Sequence, residues 1–408
     1  PIWISNAPGA THGRAAVPGK FLRVAAHDLA YGGAGIGFAL EAFSNLLGGM
    51  NSNSRWEKIR DTSAGADVRA GKEFLDRFAA LALQGRADHG VGVLFSKSQL
   101  ARQDLTQGFG TPQFKAFIAL ARLGYTPRFV TEEELATTDL KVLVIVAQTV
   151  PLPAPVMARL SAFEKIVTDA STTIEIPGAH KLAPALLAST PGTPYNWAVP
   201  NMVRGENDSI LYDLWHAELA GPLSEALGDA GRGVLTSDLG DATRTTLLQI
   251  TGGADARYIV AVNDSHIATQ ADWVQIRETL RPTHPQPDAV LYDCTAEKRL
   301  GALAPFTCDL SETTARLFAV LPRELKQTAL AARADKELAL VVEFRDAEGN
   351  RFAAVLPFHL ALQRPDGKLF AEFWRATTPA GTFTMTLPLP ANVPAGEWKL
   401  IVRSQLTG

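Results

Sequence analysis

Cysteine is almost missing from this chain. Among 408 residues only Cys294 and Cys308 carry a thiol, which excludes a disulfide scaffold and most thiolate metal sites. The pair is expected as free buried thiols rather than as one bridge. Eight histidines are scattered without the H-x-x-x-H spacing of a metal site. No apolar run approaches the roughly 18 residues of a membrane span. Charge of one sign is also lacking. A net charge of −3 gives no basic footprint for nucleic acid and no acidic tail. No carboxylate occurs before Asp28, and no internal repeat is evident. No cofactor, metal, nucleic-acid partner or membrane span is therefore expected, and the compartment stays open.

What remains is an ordinary globular composition, 46% hydrophobic and 20% charged, long enough for several cores. "PIWIS" opens the chain as an apolar strand, Ile2–Ser5, broken by Asn6, Pro8 and Gly9. Phe21, Leu22, Ala25, Ala26 and Leu29 then recur at helical spacing, and a second strand falls at Gly35–Ala39. Strand, helix, strand is one βαβ unit, which implies a parallel sheet. A longer helical pattern follows up to Gln84, with Phe74, Leu75, Phe78, Leu81 and Ala82 on its apolar face.

From Val91 the rhythm is regular. Strands are expected at Val91–Ser96, Pro127–Val130, Lys141–Gln148 and in "KIVTDA". Between them "PQFKAFIALARLGY" is helical, with Phe114, Phe117, Ile118 and Leu120/Ala121 on one face and Gly124 as its stop. A single turn at Glu132–Ala136 and a helix over "PVMARLSAFEK" complete the pattern of a doubly wound parallel sheet. A helical seam of Leu211, Leu214, Trp215, Leu219, Leu223 and Leu227 comes next. Beyond Thr243 short β runs take over. "DWVQIRETLRPTHPQPD" reads as an extended insertion, and "ELALVVEFRDAEGNRFAAVL" as a hairpin turning at Asp346–Asn350. Two antiparallel β-sandwich modules split near Pro322 are expected.

The segments "GVGVLFSKSQ", "FKAFIALARLGYTPRFVTEEELATTDLKVLVIVAQTVPL" and "VMARLSAFEK" resemble the middle, trimerisation domain of family-42 β-galactosidases. That resemblance implies a class I glutamine amidotransferase-like fold. It also implies that "WISNAPG" and "RVAAHDLAYGGAGIGF" occupy the last units of a TIM barrel, with Ile2–Ser5 its penultimate strand and Gly35–Ala39 its last. The first six βα units would then lie on an upstream segment or another chain. The expected fold is α/β plus all-β, in four parts. Residues 1–86 are a (β/α) barrel remnant with connecting helices, and 87–240 a flavodoxin-like, amidotransferase-type domain. Residues 241–322 form one β-sandwich and 323–408 an Ig-like one.

Glycoside hydrolysis needs two carboxylates. In the resembling family the nucleophilic Glu ends the penultimate strand, where this chain has Ser5 or Asn6. No catalytic residue is assigned. Glu41, Asn6 and Asn45 are the candidates for substrate contact at a barrel mouth, with solvated-loop, turn or capping roles as the plainer reading of each. His12 is a further such residue, and His27–Asp28 reads as structural. An amidotransferase nucleophile is missing too: Gln148 and Thr149 end the strand, and His180 stands alone. The glycines of "GGAGIG", Gly32–Gly37, precede a strand and fit close packing better than a dinucleotide loop. "NDSH" (Asn263–His266) and "DCTAE" (Asp293–Glu297) read as Asx turns before cation sites. Trp374, Trp398, Phe370 and Phe373 are either core residues or a glycan platform. The expected function is the assembly and accessory part of a glycoside-hydrolase-like protein. The alternative is part of an active enzyme whose carboxylates lie elsewhere. The expected partners are a second copy or the absent barrel segment, and carbohydrate.

Overall fold

The structure, a computed structural model, describes residues 20–31, 63–100, 111–186, 208–263, 275–334, 337–389 and 394–408. Two helices come first, α1 (Lys20–Ala30) and α2 (Ser63–Gln84). The strand expectations at Ile2–Ser5 and Gly35–Ala39 lie outside the described residues, as do Gly32–Gly37. After β1 (Arg86–Ala87) come β2 (Val91–Leu94), α3 (Lys97–Leu100), α4 (Thr111–Arg122), β3 (Pro127–Val130) and a 3-10 turn at Glu134–Ala136. The series continues with β4 (Val142–Ile145), α5 (Ala154–Leu160), β5 (Lys165–Thr168), β6 (His180–Lys181) and α6 (Asp208–Leu227).

Strands β2 to β6 form one parallel sheet in the order β3-β2-β4-β5-β6. Valine, leucine and isoleucine fill both sides of its central strands, as a parallel sheet covered on both faces requires. One face carries Val91, Val93, Val142, Val144 and Val167, packed on Ala116, Ala119 and Leu120 of α4, on Leu123 just after it, and on Leu219, Leu223 and Leu227 of α6. The other carries Leu94, Leu143, Ile145 and Ile166 against Leu135, Val156, Leu160 and Phe163. Each such fully buried side chain contributes about 1.5–3 kcal/mol. The four expected strands and the two helices between them are therefore present. Helix α5 stops at Leu160, and Phe163 of "SAFEK" is buried beyond it.

The face of α4 is the expected one in part. Leu120 and Ala121 are buried, but Phe114 is 44% exposed, and the sheet-facing stripe is made of Ala116, Ala119 and Leu120, continued by Leu123 just past the helix. Small alanines let the helix axis approach the sheet. The phenylalanines instead lean over the edge strand β3, with Phe114 and Phe117 at 5.3 and 4.8 Å from Phe129. Gly124 ends α4 as expected, at φ +84°, and the Tyr125 N–H returns to the Leu120 carbonyl at 3.1 Å.

The remaining strands are β7 (Leu235–Ser237), β8 (Thr245–Thr251), β9 (Arg257–Asn263), β10 (Arg277–Pro282), β11 (Val290–Asp293), β12 (Lys298–Ala302), β13 (Phe306–Asp309) and β14 (Ala315–Leu321). They are followed by β15 (Gln327–Ala334), β16 (Glu337–Arg345), β17 (Pro357–Gln363), β18 (Leu369–Ala376), β19 (Thr382–Pro388) and β20 (Lys399–Ser404). A six-stranded sheet runs β1-β8-β9-β14-β11-β12, and three smaller sheets run β13-β10-β7, β15-β16-β19 and β18-β17-β20. All four are antiparallel.

The six-stranded sheet is covered twice. Leu247, Ile259, Leu291, Phe318 and Val320 face Leu280 and Cys308 of the β13-β10-β7 sheet. Leu248, Tyr258, Val260, Tyr292 and Leu317 face α1 and α2 and share one core with Leu340, Val342, Phe344, Phe358 and Leu360 of β16 and β17. Tyr258 of β9 donates to the Val355 carbonyl, just before β17, at 2.6 Å within the same core.

Two expectations in this region need correction. "DWVQIRETLRPTHPQPD" is no insertion, because its Arg277–Pro282 is the central strand of a sheet. The buried carboxylate of Glu278, accepting from Ser237 Oγ at 2.9 Å and the Arg244 N–H at 2.7 Å, disguises its apolar alternation. The turn at Asp346–Asn350 forms, with the Asp346 N–H on the Asn350 carbonyl at 3.0 Å, but no hairpin continues from it. Past a single bridge, Arg345 to Arg351, the chain crosses to the opposite sheet. It is held there by the Val355 N–H on the Gly252 carbonyl at 2.6 Å and by burial of Phe352, Val355 and Phe358.

Candidate functional site

In a doubly wound sheet ligands sit at the carboxyl ends of the strands, where the connections reverse direction. Here that place lies between β2 and β4, since β3 is on one side of β2 and the later strands are on the other. This switch-point position carries Ser96, Ser98 and Gln99 after β2 and Ala147, Gln148 and Thr149 after β4, with Ser96, Gln99, Ala147 and Gln148 buried. Glu132 after β3 and Asp169 after β5 complete it.

Its polar groups answer one another. Glu132 Oε1 accepts from Ser96 Oγ at 2.6 Å and from Ser98 Oγ at 2.7 Å. Gln99 Oε1 accepts the N–H groups of Thr149 and Val150 at 2.7 and 2.9 Å. Gln148, fully buried, donates from Nε2 to the Val150 carbonyl at 2.7 Å and to Ser96 Oγ at 3.3 Å. Asp169 is completely buried and is the hub of the far side. It accepts the N–H groups of Ala147, Thr172 and Leu186 at 2.8, 3.1 and 2.8 Å, and the hydroxyls of Thr172 and Ser171.

Ala147 has φ +53°, a left-handed conformation that costs a non-glycine residue about 1–2 kcal/mol. This turn follows β4 but is no nucleophile elbow, because residues 146–153 separate the strand from α5 and the side chain at the turn is a methyl group. Cys294 and Cys308 are both free and buried in the antiparallel part, where burial pushes both thiols upward, away from the reactive thiolate. His180 lies exposed on the edge strand β6. As arranged, the crevice is a rigid hydrogen-bonded floor rather than a set of free acids, bases and nucleophiles.

Asn6, Glu41, Asn45 and His12 lie outside the described residues. So does His266, and with it most of "NDSH". In "DCTAE" the Asx turn is observed: Asp293 Oδ1 accepts the Ala296 N–H at 2.9 Å and Oδ2 pairs with Arg316 at 2.7 Å. Among the described residues no group of three or more His, Cys, Asp or Glu side chains could hold a metal ion. No helix there is long and apolar enough to cross a membrane.

The aromatic candidates divide. Phe373 faces the core side of β18, opposite Leu360. Phe370 and Trp398 meet at 86°, centroids 5.2 Å apart, and so present no shared flat face to a sugar. The Trp374 ring lies tilted at 43° to His359 with centroids 4.4 Å apart, and His359 bonds Glu372 at 2.6 Å. The sequence shows Gln148 and Thr149 only as the strand end that lacks a nucleophile, and Asp169 only as part of the strand segment "KIVTDA". The "DAST" that follows β5 is an Asx-turn signal that points to Asp169.

No family model matches the sequence, and no curated protein matches it. Among solved structures the chain is similar to a β-galactosidase from the psychrophilic Marinomonas ef1, at 15% identity and a TM-score of 0.36. The alignment covers 79% of this chain and 53% of that one, so the chain spans about half the length of that enzyme.

Proposed function

We propose that this chain is the assembly and accessory part of a glycoside-hydrolase-like protein and is not catalytic by itself. The observation that carries the reading is the crevice of the parallel sheet. Its position suits a ligand, yet its carboxylates and amides are consumed by internal hydrogen bonds and the left-handed turn after β4 carries only the methyl group of Ala147. A domain of that kind contributes shape and contact surface rather than chemistry. The resemblance of its segments to a trimerisation domain of amidotransferase-like, flavodoxin-like fold supports the same reading, as does the order of parallel sheet followed by antiparallel modules.

In this proposal residues 1–86 belong to the end of a TIM-barrel-like domain, 87–240 to the assembly domain, and 241–322 and 323–408 to two β-sandwiches. Asn6, Glu41 and Asn45 would contact sugar hydroxyls at the barrel mouth, and the partner is a second copy or the rest of the barrel. The test is turnover. The purified chain should leave an aryl β-galactoside uncleaved, and cleavage at ordinary enzymatic rates in a preparation freed of contaminants would overturn the proposal.

A further inference from the structure

A β-strand with one neighbour leaves half of its backbone donors and acceptors without strand partners, and proteins usually guard such edges with charge, proline or a bulge. Several free edges of this chain are guarded in that way. Lys298 and Arg299 stand on β12, Glu372 and Arg375 on β18, and Lys399 and Arg403 on β20. β15 is different. Among the described residues it pairs with β16 alone, over eight residues without a register shift. Its sequence, QTALAARA, contains four alanines, no proline and one charge, Arg333.

Leu330 strengthens the contrast. Its register opposite Val342 puts it on the core side of the sheet, yet 40% of it is exposed, since among the described residues no strand lies beyond it. On the opposite side of the same sheet Ala331, Ala339, Val341, Thr384 and Thr386 border an open depression of about 410 Å³.

We propose that β15 is a homotypic pairing edge: two copies of the chain join their β15 strands antiparallel across a twofold axis, making one continuous six-stranded sheet. The alternation of the sheet already favours this, since each strand in it runs antiparallel to its neighbour. A twofold axis requires one residue to face its own copy. Centring the pair on Leu330 sets the two exposed leucines side by side and covers both. It places Arg333 opposite Gln327 and Lys326 opposite Ala334, so no like charges oppose each other. Centring on Ala331 would leave the leucines offset. The inference rests on the strand alone and is independent of any relation to glycoside hydrolases.

The test is the mass of the full chain in solution, by sedimentation, for wild type and for A329K/A331K. Both alanines face away from the core, opposite Glu343 and Val341, so the lysines are tolerated in a single copy. In the pair, position 329 of one copy faces position 331 of the other, and four lysines would crowd one face. Wild type should sediment as an even-numbered assembly of the 43.7 kDa chain, and A329K/A331K at half that mass with an unchanged circular dichroism spectrum. Mixing A329K/A331K with A329E/A331E should restore the pair. As a check needing no variant, amide exchange at residues 327–334 of wild type should slow as protein concentration rises. A mass unchanged by the lysines, exchange independent of concentration, or masses growing without limit through β15–β19 head-to-tail pairing would each overturn the proposal.

Discussion

Ala147 shows how one residue can record a constraint set elsewhere. Its left-handed backbone is held by an N–H bond to Asp169, 22 residues on and behind a different strand. Glycine adopts that conformation freely, whereas a β-branched residue is forced out of it. Replacing a buried alanine by glycine within a regular element ordinarily costs about 0.5–1 kcal/mol. Here Ala147→Gly should be close to neutral in urea unfolding, because the relieved strain offsets the lost methyl. Ala147→Val should lose about 2 kcal/mol or more, by backbone strain and overpacking together. Equal losses for the two variants would contradict the assignment of strain.

At the scale of elements, the parallel sheet was legible because its signals are local. Four-residue apolar strands alternate with helices, and Gly124 marks a stop whose geometry depends only on its own turn. The hairpin expected at Asp346–Asn350 does not continue, because turn residues announce a reversal without naming the next partner, which here is set by Gly252 and Tyr258, about a hundred positions earlier in the chain. Of the crevice, the sequence reading reached the ends of β2 and β4 but not the role of Asp169, whose bonds are tertiary.

His89, just before β2, carries a prediction of the same scale. It stacks on Tyr31 at 5.7 Å, and burial, aided by the charge of Arg128, lowers its pKa from 6.5 to about 4. The unfolded chain therefore binds a proton near pH 6.5 that the folded chain accepts only near pH 4. Stability from this site is complete above pH 6.5, falls as pH is lowered through the window, and is lost below about pH 4. His89→Gln should flatten that part of the stability–pH curve, as measured by chemical denaturation at each pH.

For the whole molecule Arg77 of α2 is the chief polar tie. Its guanidinium donates to the carbonyls of Cys294 and Thr295 at 2.9 and 3.2 Å, to Glu297 at 3.1 Å and to Gln405 Oε1 at 2.7 Å. One side chain thus binds a helix from the start of the chain to a turn of the six-stranded sheet and to the last residues. Arg77→Ala should cost about 2–3 kcal/mol of global stability, since it leaves several acceptors without their charged donor. A loss below 0.5 kcal/mol, the range of a surface change, would show that the tie is dispensable.

The central strands β8, β9, β14 and β11 of the six-stranded sheet have no side turned to water, because α1 and α2 lie on one face and the β13-β10-β7 sheet on the other. Layers that hide each other cannot be lost one at a time: peeling away either cover exposes a wall of valine, leucine and tyrosine that the strands alone cannot sustain. The three layers should therefore behave as a single cooperative unit. Under rising urea, the amides of β9, β14 and α2 should lose their protection together, and early release of α2 with the strands still protected would refute this.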